Sequence, residues 1–233
     1  MSSHPRIANR YPLRHPDNTN LSLHYDDTFE GFPVMIEKGP FIREYLARLK
    51  HIIDLARDQY PRVLAFRVDL RLPKDIDLPD YAYTNQVISK FFEAFTGRIE
   101  YHRSQLRERS RYARGCKVRY VWARETGRGE RPHYHLLILL NRDAYYGPGR
   151  LRSEESNIFN RMQEAWASAL GVPIDWVDGL VEIPDNPVYR INRSVREGRE
   201  DQLPALFHRA SYLCKAATKS YGDRQRGFDT SRG

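Results

Sequence analysis

Residues 131–141 read Arg-Pro-His-Tyr-His-Leu-Leu-Ile-Leu-Leu-Asn, and the two histidines one residue apart are the type of pair that can share a divalent metal ion. The five aliphatics that follow, bounded by Pro132 and Asn141, are too few for an independent helix and predict a buried strand. In a strand, residues two apart share a face, so His133 and His135 project together while Tyr134 and Leu136 turn away. The same spacing also fits two hydrogen-bonded neighbours on a half-exposed sheet, so the triplet needs support from elsewhere in the chain.

A third ligand is offered by the preceding hairpin. Residues 117–125 alternate as a strand, and Thr126-Gly127-Arg128-Gly129-Glu130-Arg131 turns the chain. With the turn centred on Gly129, Glu125 lies across from His133, within reach of a common ion. Glu130 is the rival in another register, and a surface pairing of Glu125 with a nearby arginine is the plainer alternative. Two imidazoles and a carboxylate leave coordination positions for water or phosphate oxygens, as a catalytic metal site requires.

A nucleophile stands further on. Residues 203–220 read as a helix with Leu206, Ala210, Leu213 and Ala217 on its apolar stripe and His208, Tyr212, Lys215 and Lys219 on a polar stripe beside it. A phenol flanked by ammonium groups suits attack on phosphate, because nearby positive charge favours phenolate and offsets charge developing on the phosphate. The competing reading is an amphipathic helix with a tyrosine at its boundary.

The elements that must position these groups follow from hydrophobic periodicity. Residues 41–60 place Ile42, Tyr45, Leu46, Leu49, Ile52, Ile53 and Ala56 on one helical stripe, and Pro61 ends it. Residues 63–72 form a strand, a long helix begins near Thr84, and the 117–125 and 133–140 strands follow. A helix from Ser153, with Ser153 as N-cap and Gly171 past its end, leads to a strand at 176–183. The order β-α-β-β-α-β predicts an α+β, ferredoxin-like antiparallel sheet with helices on one face, joined by the N-terminal helix and the tyrosine-bearing C-terminal helix. In that arrangement residues 63–72 lie beside 133–140, and the other face of the sheet can stay open for a substrate. Residues 1–38 are expected to form an arm, extended or hairpin-like; 39–222 one domain; and 223–233 a basic tail.

The 233 residues carry a formal net charge of +8, most of it arginine, which points to a polyanionic partner. Arginine is densest from Arg98 to Arg131 and recurs at Arg190, Arg193, Arg196 and Arg199. The basic stretch 103–114 reads either as a solvated helix face or as a grip on phosphates. No apolar run approaches a membrane span, and Met-Ser-Ser-His-Pro-Arg lacks the core of a signal peptide, so the expectation is a cytoplasmic protein with no membrane partner. Cys116 and Cys214 show no ligand spacing and read as free thiols, with a disulfide as the alternative.

Phe66-Arg67-Val68-Asp69-Leu70, His133-Tyr134-His135 and Tyr212-Leu213-Cys214-Lys215 occur in the order of the three motifs of the His-hydrophobic-His superfamily of nicking endonucleases, which the chain resembles from about Val63 to Lys219. Ala216 stands where some phage initiators carry a second tyrosine, so the chain resembles a one-tyrosine member. The Arg-Glu before the histidine strand, the Tyr-Leu-x-Lys segment and the Arg-Gln-Arg-Gly-Phe-Asp-Thr-Ser-Arg ending are most similar to inovirus gene-two-type replication proteins and their prophage relatives.

The resemblance implies that Glu125, His133 and His135 hold Mg²⁺ or Mn²⁺, that Tyr212 forms a 5′-phosphotyrosine link with single-stranded DNA, and that Lys215 stabilises the transition state. It further implies DNA contacts from Lys219, Arg124 and Arg131, a bacterial host, and a role in initiating rolling-circle replication. No helicase motif is present, so unwinding would call on a host helicase. The alternatives are a non-catalytic single-strand-binding module, a metal-dependent phosphodiesterase using activated water, and a transposase or relaxase of the same superfamily.

Overall fold

The most apolar segments of the chain become adjacent strands of one antiparallel sheet. The structure is a computed structural model describing residues 12–74, 76–126, 131–149, 157–194, 201–219 and 224–233; Gly127, Arg128, Gly129, Glu130, Ser153, Arg196, Arg199 and Tyr221 lie outside them. In chain order, β1 (Arg14–His15) pairs with β2 (Asn18–His24), β3 (Thr28–Phe29) and β4 (Phe32–Pro33) form a small hairpin, and β5 (Phe41–Ile42) pairs with β2. Then come α1 (Arg43–Gln59), β6 (Arg62–Leu70), α2 (Asn85–Arg109), β7 (Arg119–Thr126), β8 (Pro132–Asn141) and α3 (Ile158–Leu170). β9 (Val181–Glu182), β10 (Val188–Asn192), α4 (Leu203–Ser211) and β11 (Phe228–Thr230) complete the chain.

The main sheet runs β10-β6-β8-β7-β11, with β9 paired to the end of β6. The expected pairing of residues 63–72 with the histidine strand is present: Phe66 lies opposite Ile138 and Asp69 opposite His135. On one face, Leu64, Phe66, Val68, Tyr134, Leu136 and Ile138 pack with Phe91, Phe95 and Trp166 of α2 and α3. On the other, Val63, Ala65, Val121, Leu137 and Leu139 pack with Leu46, Leu49 and Ile53 of α1 and Leu206 and Phe207 of α4. The sheet is therefore not open on one side. Beyond His135 the residues of β8 are apolar on both faces, and burying both requires helices on both. At one end of the second face Arg67, Asp69, Glu125, His133 and His135 replace the aliphatics.

Several local expectations are corrected. Residues 14–38 are hairpin-like and not an extended arm: β1 pairs with β2 and β3 with β4, and Phe29 is buried and stacks on Phe207, their ring centroids 6.4 Å apart. Residues 224–233 are not a tail either. β11 adds an edge strand to β7, and buried Phe228 stacks on Tyr45 at 4.3 Å. The cap of α3 is Asn157, in a reciprocal capping box with Asn160; Gly171 ends the helix in the left-handed conformation, as expected. In the segment 176–183, Ile174–Val177 forms a 3₁₀ turn and Gly179 has φ +72°, which bends the chain and confines the strand to β9.

The tyrosine helix is also shorter than its apolar periodicity suggests. α4 stops at Ser211, Tyr212–Cys214 is a 3₁₀ turn, and Lys215 is extended, with φ −58° and ψ 142°. Lys215 makes a β-bridge with Phe41, and the Ala216 amide donates to the Pro40 carbonyl at 2.9 Å. Tertiary pairing with the strand before α1 thus overrides continued helix. Cys116 and Cys214 are both free and buried. Among the described residues, no helix is long and apolar enough to cross a membrane.

Candidate active site

The β7–β8 register places Glu125 directly across from His133, leaving residues 127–131 between the paired Thr126 and Pro132. His133 and His135 share the face of β8 that Glu125 occupies on β7, and their rings meet edge-on with centroids 4.9 Å apart. Glu125 Oε2 lies 3.7 Å from His133 Nε2 and 3.5 Å from His135 Nε2. One donor atom from each of the three residues falls within 4.8 Å of the others.

These residues fit a divalent ion. An ion about 2.1 Å from each donor holds neighbouring donors roughly 3 to 3.5 Å apart, close to the 3.7 and 3.5 Å between Glu125 Oε2 and the two imidazoles. His135 Nε2 is buried and has no hydrogen-bond partner among the described residues. Its other nitrogen, Nδ1, is 2.7 Å from Asp69 Oδ1, an arrangement that orients an imidazole toward a metal. Asp69 is in turn approached by the buried Arg67, whose guanidinium lies 3.3 Å from the same oxygen and donates through Nε to the Leu136 carbonyl.

The electrostatics follow from this crowding. Burial alone would lower the His135 imidazole, but the Asp69 and Glu125 carboxylates hold it above the usual histidine value. Burial would raise Glu125, yet His135, Lys219 and Lys215 bring it down to about 2. His133 is lowered, first by burial and then by the charge of His135.

Tyr212 enters from the second face. Its ring meets His135 edge-on at 5.3 Å, and the Arg67 guanidinium lies 5.6 Å from the ring centroid. Lys215 donates to the Tyr212 hydroxyl at 2.5 Å and lies 3.0 Å from Glu125 Oε1. The two oxygens of Glu125 thus face different partners: Oε2 the imidazoles, Oε1 the lysine that holds the phenol.

The remaining residues expected at the site divide. Lys219 is no surface contact: it is 5% exposed, and burial lowers its ammonium to about 8 against the attraction of Glu125. Arg124 does not join the group. Its neighbour Glu125 faces the site, so Arg124 points to the opposite face, where it is buried and donates to the Tyr83 carbonyl at 3.1 Å. Arg131 is half-buried, donates to the Pro73 carbonyl and stacks over Tyr83 at 5.9 Å. Asp69 and Arg67 were not among the expected site residues. Strand alternation alone puts them on one face, but only the β6–β8 register sets Asp69 against His135.

A model of the YagK/YfjJ C-terminal domain matches residues 24–231. The chain is 32% identical over 204 residues to "Uncharacterized protein YfjJ" of Escherichia coli (strain K12), covering 84% of this chain and 98% of that protein. It is 32% identical over 200 residues to "Uncharacterized protein YagK" of the same strain, covering 83% and 95%. No solved structure matches. A match that runs from the last residue of β2 through β11 and takes in the whole main sheet means that the chain belongs to the YagK/YfjJ C-terminal domain family.

Proposed function

We propose that this protein nicks and rejoins single-stranded DNA through a 5′-phosphotyrosine intermediate, as a His-hydrophobic-His endonuclease that initiates rolling-circle replication of a phage, prophage or plasmid. The observation that carries the reading is the convergence of the Tyr212 hydroxyl, Lys215 and Glu125 beside the His133–His135 pair. The β6-α2-β7-β8-α3-β9 order, with strands arranged β9-β6-β8-β7, supports a ferredoxin-like core for this enzyme.

Glu125, His133 and His135 would hold Mg²⁺ or Mn²⁺, which when bound supplies Lewis-acid polarisation of the scissile phosphate. Asp69 fixes the ring of His135 through Nδ1, and Arg67 steadies Asp69. Lys215 stabilises negative charge on the Tyr212 oxygen. That oxygen attacks phosphorus as the bond to the 3′ oxygen breaks. The phenolic proton is lost to water, and the departing oxygen takes up a proton, leaving a free 3′-hydroxyl and a 5′-phosphate on the tyrosine. Strand binding draws on the net charge of +8 and weakens with salt.

Covalent capture tests the reading. Incubation with single-stranded origin oligonucleotides and Mn²⁺, followed by a denaturing gel, is expected to give a slower protein band that is lost in Tyr212→Phe. Cleavage without that band would replace the tyrosine mechanism by one using water, and binding without cleavage would leave a non-catalytic module.

A further inference from the structure

Beside His133, at the end of the sheet where β6 leaves and β8 enters, lies a cavity of about 760 Å³. Its wall is apolar, formed by Leu72, Pro73, Ile76, Pro132 and Leu180, and it is completed by the indole of Trp176. Trp176 differs from the other two tryptophans. Trp122 and Trp166 are buried in the core between the sheet and α2 and α3, whereas Trp176 is 51% exposed on the 3₁₀ turn after Pro173. Arg71, Lys74 and Arg131 also line the cavity. Flat apolar walls with basic groups among them suit a planar aromatic ligand that carries negative charge.

We propose that this cavity is a base-binding subsite, in which an unpaired base of single-stranded DNA stacks on Trp176 while its phosphates meet Arg71, Lys74 and Arg131. The inference rests on the nicking reading above, because His133 belongs both to the metal-ligand set and to the cavity wall. A base seated here lies immediately next to the reacting phosphate. The subsite therefore sets which link in the strand is presented to Tyr212, and the strand is held by one nucleotide flanking the cut. Arg71 is free to serve as a phosphate contact on its solvent side, since its ion pair with Glu182 at 3.1 Å is half-exposed on both partners.

The test uses the full chain carrying Tyr212→Phe, so that binding is read without cleavage. A fluorescein-labelled single-stranded oligonucleotide spanning a mapped nick site is titrated by anisotropy. The same oligonucleotide is then tested with single abasic substitutions moved along it. The expected result is one abasic position beside the nick that weakens binding roughly 5- to 100-fold, the size of one base–aromatic stack. In the additional Trp176→Ala variant that abasic position no longer matters, whereas Trp176→Phe retains most of the effect because it keeps an aromatic face. Tryptophan emission is expected to be quenched by the intact oligonucleotide and not by the abasic one. Abasic sensitivity that is unchanged by Trp176→Ala, while the protein with Tyr212 intact nicks the same oligonucleotide, overturns the subsite and leaves the nicking reading standing. Absence of both nicking and single-strand binding overturns the nicking reading, and the subsite with it.

Discussion

Lys215 Nζ stands 3.0 Å from Glu125 Oε1, so a single carboxylate joins the histidine pair to the residue that holds the tyrosine. Lys215 reaches this position because the chain leaves the helix at Ser211 and bridges to Phe41. A continuous helix through residue 219 would carry the two lysines outward along one stripe. The break instead buries both around Glu125.

Lys215 is expected to matter for the chemical step more than for the fold. Lys215→Met should slow formation of the covalent protein–DNA band by about 10²- to 10³-fold, the scale seen when one preorganised donor to developing charge is removed. Lys215→Arg should recover part of that loss. Single-turnover capture rates check this, with circular dichroism confirming that both variants fold.

Asp69 touches no candidate metal position yet sets the ring of His135. Asp69→Asn is expected to weaken Mn²⁺ binding by about 10- to 100-fold, and His135→Ala more than that. Titration calorimetry on the protein without DNA measures both. Equal Mn²⁺ affinity in the parent and the Asp69→Asn protein would remove Asp69 from any role in the site.

The C-terminal strand is expected to be part of the folding unit. Phe228 is 2% exposed and lies between α1 and the sheet, so Phe228→Ala should cost about 3–5 kcal/mol. Urea unfolding followed by circular dichroism reads the difference. A dispensable tail would show almost none.

Asp229 gives a pH-dependent contribution from the same strand. Burial would raise its carboxyl, but the Thr230 amide and the side chains of Arg48 and Arg226 hold it below the ordinary aspartate value of 3.8. A carboxylate depressed on folding stabilises the native state above its unfolded value, and that contribution is lost as the pH falls through the lower native value. Asp229→Asn should therefore melt below the parent at pH 7, with the gap closing as the pH is taken below 3.8. A gap that stays constant across that range would assign the effect to packing.

Much of the candidate site is legible in the residues themselves. The period of two in a strand puts His133 and His135 on one face, and the pairing of β7 with β8 sets Glu125 across from His133, so three candidate ligands follow from local geometry. The same parity assigns Arg124 to the opposite face, which its charge alone conceals. Thr84 as the start of α2 and Gly171 as the end of α3 are likewise local, since cap chemistry depends on neighbours within a turn.

Local pattern alone determined β6, β7 and β8, most of the helices and the imidazole–carboxylate cluster, because periodicity and hairpin register act over a few residues. Tertiary structure decided the rest. Only the long-range pairing of β6 with β8 sets Asp69 on His135, and only the bridge from Lys215 to Phe41 ends α4 early. The same packing buries Lys219 and gives the C-terminal residues an edge of β7 to pair with. Each of these contacts joins residues far apart in the chain. Their energy comes from burial and pairing across that distance, which no local spacing encodes.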